Sequence, residues 1–151
     1  MSAESCPVPT RTPGLESAAA DRMLRAKRIA IVGMSDDPAR PSNGIGGYLI
    51  SNGYDVVPVN PNYRSIMGRT CYPTLADVPG AIDIVNVFRR AEFCADVVRD
   101  AIAAGAKGVW LQSGIRNIEG RQLAAAANID YVEDRCIMVE HMQRRRIGKQ
   151  G

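Results

Sequence analysis

The 151-residue sequence predicts one doubly wound α/β domain on a five-stranded parallel sheet. Three observations predict it. Compact apolar runs such as Arg28-Ile29-Ala30-Ile31-Val32-Gly33 recur, each short enough for a strand buried on both faces. Segments of helical period separate them, and strand–helix alternation at this length requires parallel pairing with right-handed crossovers. The length suits one core, and 46% apolar with 23% charged residues is a globular balance.

The elements follow in order. Residues 1–20 read as a disordered N-terminal tail, because Ser, Glu, Pro, Thr and Arg interrupt Met1 to Pro13 and leave no secretory signal. The domain is expected over residues 21–147, with a C-terminal tail at 148–151. Asp21 to Lys27 is a short amphipathic helix leading into the first strand, Arg28 to Gly33. Ile45 to Ser51 is helical and closed by Asn52-Gly53, and Tyr54 to Asn60 is the second strand. Pro58 argues against a central strand but is tolerable near a strand's carboxyl end. Pro61 to Pro79 is an irregular connection with one helical turn at Thr74 to Val78. Ile82 to Phe88 is the third strand, Ala91 to Gly105 a helix, Lys107 to Leu111 the fourth strand and Asn117 to Asn128 an alanine-rich helix. Ile129 to Val132 is the fifth strand and Ile137 to Arg146 the closing helix. The expected architecture is Rossmann-like, with strand order 3-2-1-4-5.

Ligands of such sheets bind beyond the carboxyl ends of the strands, which selects four loops: 33–44, 60–68, 88–90 and 112–116. The first joins a strand to a helix N-terminus and reads as an anion site. Gly33 permits close backbone approach, Ser35 and Ser42 supply hydroxyls, and Arg40 supplies a fork suited to phosphate. The plainer reading is that Ser42 or Asn43 caps the helix. The loop lacks G-x-G-x-x-G spacing, and the second strand ends in Asn60-Pro61-Asn62 where a carboxylate would hold an NAD ribose. Plain NAD is therefore disfavoured, while Arg64 keeps two ribose-phosphate cofactors, NADP and coenzyme A, open.

Val32-Gly33-Met34-Ser35 with Pro38, Arg40, Pro41 and Ser42 opens a longer pattern. It continues through Tyr48-Leu49, Gly53-Tyr54, Pro58-Val59-Asn60-Pro61, Gly68 and Tyr72-Pro73-Thr74-Leu75. Val85, Phe88-Arg89, Lys107, Trp110-Leu111-Gln112, Asp134-Arg135-Cys136 and Glu140-His141 complete it. In order and spacing, from about Leu24 to Gln143, this resembles the small stand-alone CoA-binding proteins. These are relatives of the CoA-binding domain of the succinyl-CoA synthetase alpha subunit and of nucleoside-diphosphate-forming acyl-CoA synthetases. The resemblance implies coenzyme A or acyl-CoA as ligand. It places Gly33, Ser35, Arg40 and Ser42 by the phosphates and upper pantetheine. Asn60, Pro61, Asn62, Tyr63 and Arg64 fall by the adenosine ribose and its phosphate, Phe88 and Arg89 on the adenine side, and Gln112 in the remaining loop. The synthetases carry this unit beside a phosphohistidine-bearing ligase domain and a nucleotide-grasp domain, for which this length has no room, so a binding or regulatory module without ligase activity is expected.

Composition narrows the alternatives. The net charge of +3 is mild, and Arg144, Arg145, Arg146 and Lys149 are what a terminal helix gains from its dipole. With 5% aromatic residues, this argues against nucleic acid. No apolar run approaches the roughly 20 residues of a membrane span, and a cytoplasmic protein is expected. Cys6, Cys71, Cys94 and Cys136 form no CxxC pair and have only His141 for company, so neither disulfides nor a metal site is expected. An NADP-type oxidoreductase remains a rival, although no Tyr-x-x-x-Lys pair is present. A second rival is a thiol enzyme acting on CoA disulfide or acyl-CoA through Cys136, which precedes a helix N-terminus beside Arg135. A buried Cys136 serving as a small hydrophobe is the plainer reading. A partner protein or a homo-oligomer stays open.

Overall fold

The computed structural model describes residues 13–150. Five helices, α1 (Pro13–Leu24), α2 (Pro41–Ser51), α3 (Cys94–Ala103), α4 (Ile118–Ala126) and α5 (Ile137–Gln150), surround the strands. The main sheet contains β1 (Arg28–Val32), β2 (Asp55–Val59), β5 (Ile84–Val87), β6 (Gly108–Leu111) and β7 (Asp130–Val132), all parallel. A hairpin of β3 (Ser65–Ile66) and β4 (Arg69–Thr70) turns through Met67 and Gly68, both at positive φ. The helical turn expected near Thr74 is a 3₁₀ turn at Leu75–Asp77.

Alternation along the strands divides the core between the two faces. Ile29 and Ile31 of β1, Ile84 of β5 and Trp110 of β6 pack with Met23 of α1, Leu49 of α2 and Ile137 of α5. Ala30, Val32, Val85, Val87, Val109 and Leu111 face the other way, onto Val97, Val98 and Ala101 of α3 and Ala124 of α4. The pattern is that of a parallel sheet covered by helices on both sides, with every strand residue in β5 and β6 buried.

The strand order is β2-β1-β5-β6-β7, or 2-1-3-4-5 counting only the main sheet, which corrects the expected 3-2-1-4-5. Pro58 supplies the reason. Its carbonyl accepts the Tyr72 N–H at 3.1 Å, and a strand residue points its N–H and C=O to the same side, so the donor that proline lacks belongs to the outer edge of β2. A neighbouring strand there would lose a ladder bond. The edge is instead closed by Tyr72, which also accepts from Asn60 N–H at 2.9 Å. The chain then crosses to the other side of β1 to form β5.

Two boundaries also move. The tail expected over residues 1–20 gives way to helix at Pro13, because Ala19, Ala20 and Met23 bury their side chains against the sheet. Proline at a first helical position already suits such a start. Gly108 leaves room for Met23, whose Cε lies 3.0 Å from where a Cβ would stand. The remainder of the expected tail, including Cys6, lies outside the described residues. At the other end α5 continues to Gln150, past the expected limit at 147. Among the described residues no helix is long and apolar enough to cross a membrane.

Candidate functional site

In this order the chain leaves β1 toward one side and returns on the other as β5, so the switch point lies between the carboxyl ends of β1 and β5. Gly33 follows β1 and Phe88-Arg89 follows β5. They meet closely: Gly33 has φ +85°, and a Cβ there would lie 2.3 Å from the Phe88 carbonyl oxygen. Glycine is required on both counts. The Gly33 N–H donates to Val59 O and the Phe88 N–H to Val32 O, each at 2.8 Å, which fixes the floor of the crevice.

The first loop is held by the start of α2. That helix begins at Pro41, four residues before the expected Ile45, with Arg40 at its N-cap in extended conformation and no side-chain cap. Ser42 and Asn43 do not cap it either. The Ser42 hydroxyl accepts from Ser35 N–H at 2.9 Å, and Asn43 Nδ2 donates to Ser35 O at 3.0 Å. Both side chains therefore tether the loop rather than cap the helix; Pro41 has no N–H and the Asn43 N–H is bonded to Arg40 O at 3.0 Å, so this end of α2 meets an anion mainly through its dipole. Asn60 Nδ2 donates to Met34 O at 2.9 Å and its Oδ1 accepts from Asn62 N–H, joining the second loop to the first. Tyr63 Oη lies 3.4 Å from Ser35 Oγ. Gly46 faces Met34, whose Cε lies 2.4 Å from where a Cβ would stand, so close packing accounts for a glycine inside α2.

Two adjoining clefts, of about 520 and 740 Å³, share Gly33, Arg40, Asn60, Asn62, Phe88 and Arg89 in their walls. Ser35, Ser42 and Tyr63 line the first, and Pro61 the second. Of the residues singled out from sequence, ten are thus brought together. Phe88 both packs on the core and lines the crevice. Arg64 is exposed on the second loop and is not among the lining residues; its carbonyl accepts from Cys71 N–H. Gln112 is buried, and its Oε1 accepts from Ile137 N–H at 3.1 Å, so it caps α5. Cys136 is half-buried against the core face with α2 and α5 and does not line the clefts. The structure adds Ile115 to the first cleft and Pro73, Thr74, Arg90 and Asp100 to the second.

The electrostatics favour anions. Arg28, Arg69, Arg99, Arg116 and Arg121 pair with carboxylates elsewhere on the molecule. Arg40, Arg89 and Arg90 make no ion pair among the described residues. Arg89 Cζ lies 4.8 Å from the Phe93 ring centroid, which orients that guanidinium without neutralising it. Burial pushes the Cys94 thiol up to about 11 and raises Cys71 as well, which keeps both protonated at neutral pH. No group of three His, Cys, Asp or Glu side chains among the described residues is placed to hold a metal ion.

A family model described as a CoA binding domain matches residues 27–142. An uncharacterized protein, YneT of Bacillus subtilis, is 38% identical over 119 residues, covering 79% of this chain and 88% of that one. An ADP-forming acetate–CoA ligase II of Archaeoglobus fulgidus is 30% identical over 98 residues, which are 64% of this chain and 15% of the ligase. Among solved structures, a hypothetical protein from Pyrococcus horikoshii OT3 superposes with a TM-score of 0.83 at 40% identity, covering 89% of this chain and 96% of that one.

Proposed function

The chain belongs to the CoA binding domain family, and on that premise we propose that it binds coenzyme A or an acyl-CoA in the carboxyl-edge crevice, as a cytoplasmic binding or regulatory module without ligase activity of its own. One observation carries the reading. Arg40 and Arg89, both without a carboxylate partner among the described residues, flank a glycine-floored crevice at the open N-terminus of α2. Guanidinium forks beside the positive end of a helix dipole are what a pyrophosphate needs. Phe88 and Arg89 offer an apolar face and a cation to an adenine ring, and the Asn60 to Tyr63 segment offers amide and hydroxyl groups to a phosphorylated ribose.

The adjoining clefts suit an elongated ligand with a nucleotide at one end and a chain at the other. Ligase activity is attributed to a relative of which this chain matches 15% of the length. Native mass spectrometry of the purified full chain, mixed with equimolar CoA and NADPH, tests the reading. One CoA retained per chain in preference to NADPH is expected. Retention of NADPH with release of CoA overturns it.

A further inference from the structure

At the opposite edge of the sheet, where the strands begin, the end of α1 and the middle of α5 enclose a pocket of about 330 Å³. Asp21, Leu24, Arg25, His141, Arg144 and Arg145 line it. Its charges do not balance. Arg144 is compensated twice, by Asp21 Oδ1 at 2.6 Å from its Nε and by Glu140 Oε1 at 2.9 Å from its Nη1. Arg25 and Arg145 have no carboxylate partner among the described residues, and Arg145 is steadied only by Asn52 Oδ1, at 2.8 Å from its Nη1. The α1 dipole accounts for Arg25, which follows the last residue of that helix, but the α5 dipole does not account for Arg145, which stands five residues before the end of α5 at Gln150.

The wall between the guanidiniums is fixed. The His141 ring packs edge-on to Tyr48 and Tyr54, with centroids 5.5 and 5.6 Å away, and its Nδ1 is hydrogen-bonded to the Tyr48 hydroxyl at 2.7 Å. Tyr54 is anchored by its hydroxyl donating to Leu24 O. The pocket is thus preformed, concave and cationic.

We propose that this amino-edge pocket is a second anion site, separate from the crevice, that takes the phosphate group of a small soluble molecule between Arg25 and Arg145. A phosphate dianion matches the two uncompensated charges and has oxygens enough for two forks, whereas a lone carboxylate serves one. The concave shape and the carboxylates of Asp21 and Glu140 beside it suit a compact ligand better than a polyanionic strand.

His141 is the only histidine in the chain, so its ring signals in NMR report on this pocket alone. The full chain is titrated with inorganic phosphate, with sodium chloride at matched ionic strength and with a short DNA duplex as separate arms. A saturable shift with phosphate is expected. It should persist in Arg40→Ala, which alters the crevice, and require at least tenfold more phosphate in the Arg25→Ala/Arg145→Ala variant. Both replaced side chains are exposed, so the fold is expected to survive. An equal response to chloride, an unchanged midpoint in the double variant, or saturation by the duplex without saturation by phosphate overturns the proposal.

Discussion

Gly33→Ala joins fold and function at one atom. The residue sits at φ +85°, and the new Cβ would stand 2.3 Å from the Phe88 carbonyl oxygen and 3.1 Å from its carbon. The left-handed conformation costs an alanine about 1–2 kcal/mol. Relieving the contact means moving backbone rather than a flexible side-chain end, because Phe88 N–H is itself bonded to Val32 O, and such overpacking costs about 1–3 kcal/mol. A loss near 3 kcal/mol would lower Tm by roughly 6–12 °C in a domain of this size. Gly53→Ala isolates the conformational part, since Gly53 has φ +89° with no foreign atom within 4 Å of its would-be Cβ. Urea unfolding of both variants measures the difference, and calorimetry with CoA should show weaker binding in Gly33→Ala alone. Equal destabilisation by the two substitutions, or native CoA affinity in Gly33→Ala, would refute the close approach of β1 to the β5 loop as a determinant of the site.

Arg40→Ala should weaken CoA by roughly 10- to 150-fold, the loss of one charge-assisted phosphate contact, and isothermal calorimetry reads it directly. Arg64→Ala should cost less; a comparable loss confined to CoA and absent for dephospho-CoA would bring Arg64 into the site. Asn86, fully buried in β5, has no partner for Oδ1 or Nδ2 among the described residues, so Asn86→Leu should raise stability by about 1–3 kcal/mol; a lower urea midpoint would contradict this. Burial first, and Arg145 second, hold His141 below its ordinary pKa of 6.5. The unfolded chain then binds the extra proton first, so stability should fall as pH drops from 6.5 toward that lower value. His141→Gln in phosphate-free buffer should flatten this slope, and an unchanged slope would exclude His141 as its source.

Much of the fold was legible because a buried parallel strand is a continuous apolar run, and all five main strands fall within the runs that mark them. Their order was less legible, although Pro58 carried the signal: a strand residue without its N–H belongs on an edge. That one misplacement propagated to the site. The order 3-2-1-4-5 sets the switch point between the first and fourth strands and so favours Gln112 and Cys136, whereas the observed order moves it to the first and third, beside Phe88 and Arg89. Gln112 follows Leu111, and the alternation of β6 turns it toward α5 instead. Asp100 and Thr74 were hidden for a different reason, since they reach the second cleft from a helix and a 3₁₀ turn whose positions depend on that crossover. The start of α1 was missed because its buried face is built from alanines, which sequence alone does not distinguish from a linker.

The central claim, selective binding of CoA in the crevice, is tested most directly by the melting temperature of the full chain with CoA and, separately, with NADPH. At a hundredfold excess over Kd a native-state ligand adds about 2.7 kcal/mol, a rise of roughly 5–10 °C here. CoA is expected to give that rise and NADPH to leave the melt unchanged. A rise with NADPH and none with millimolar CoA would contradict the account.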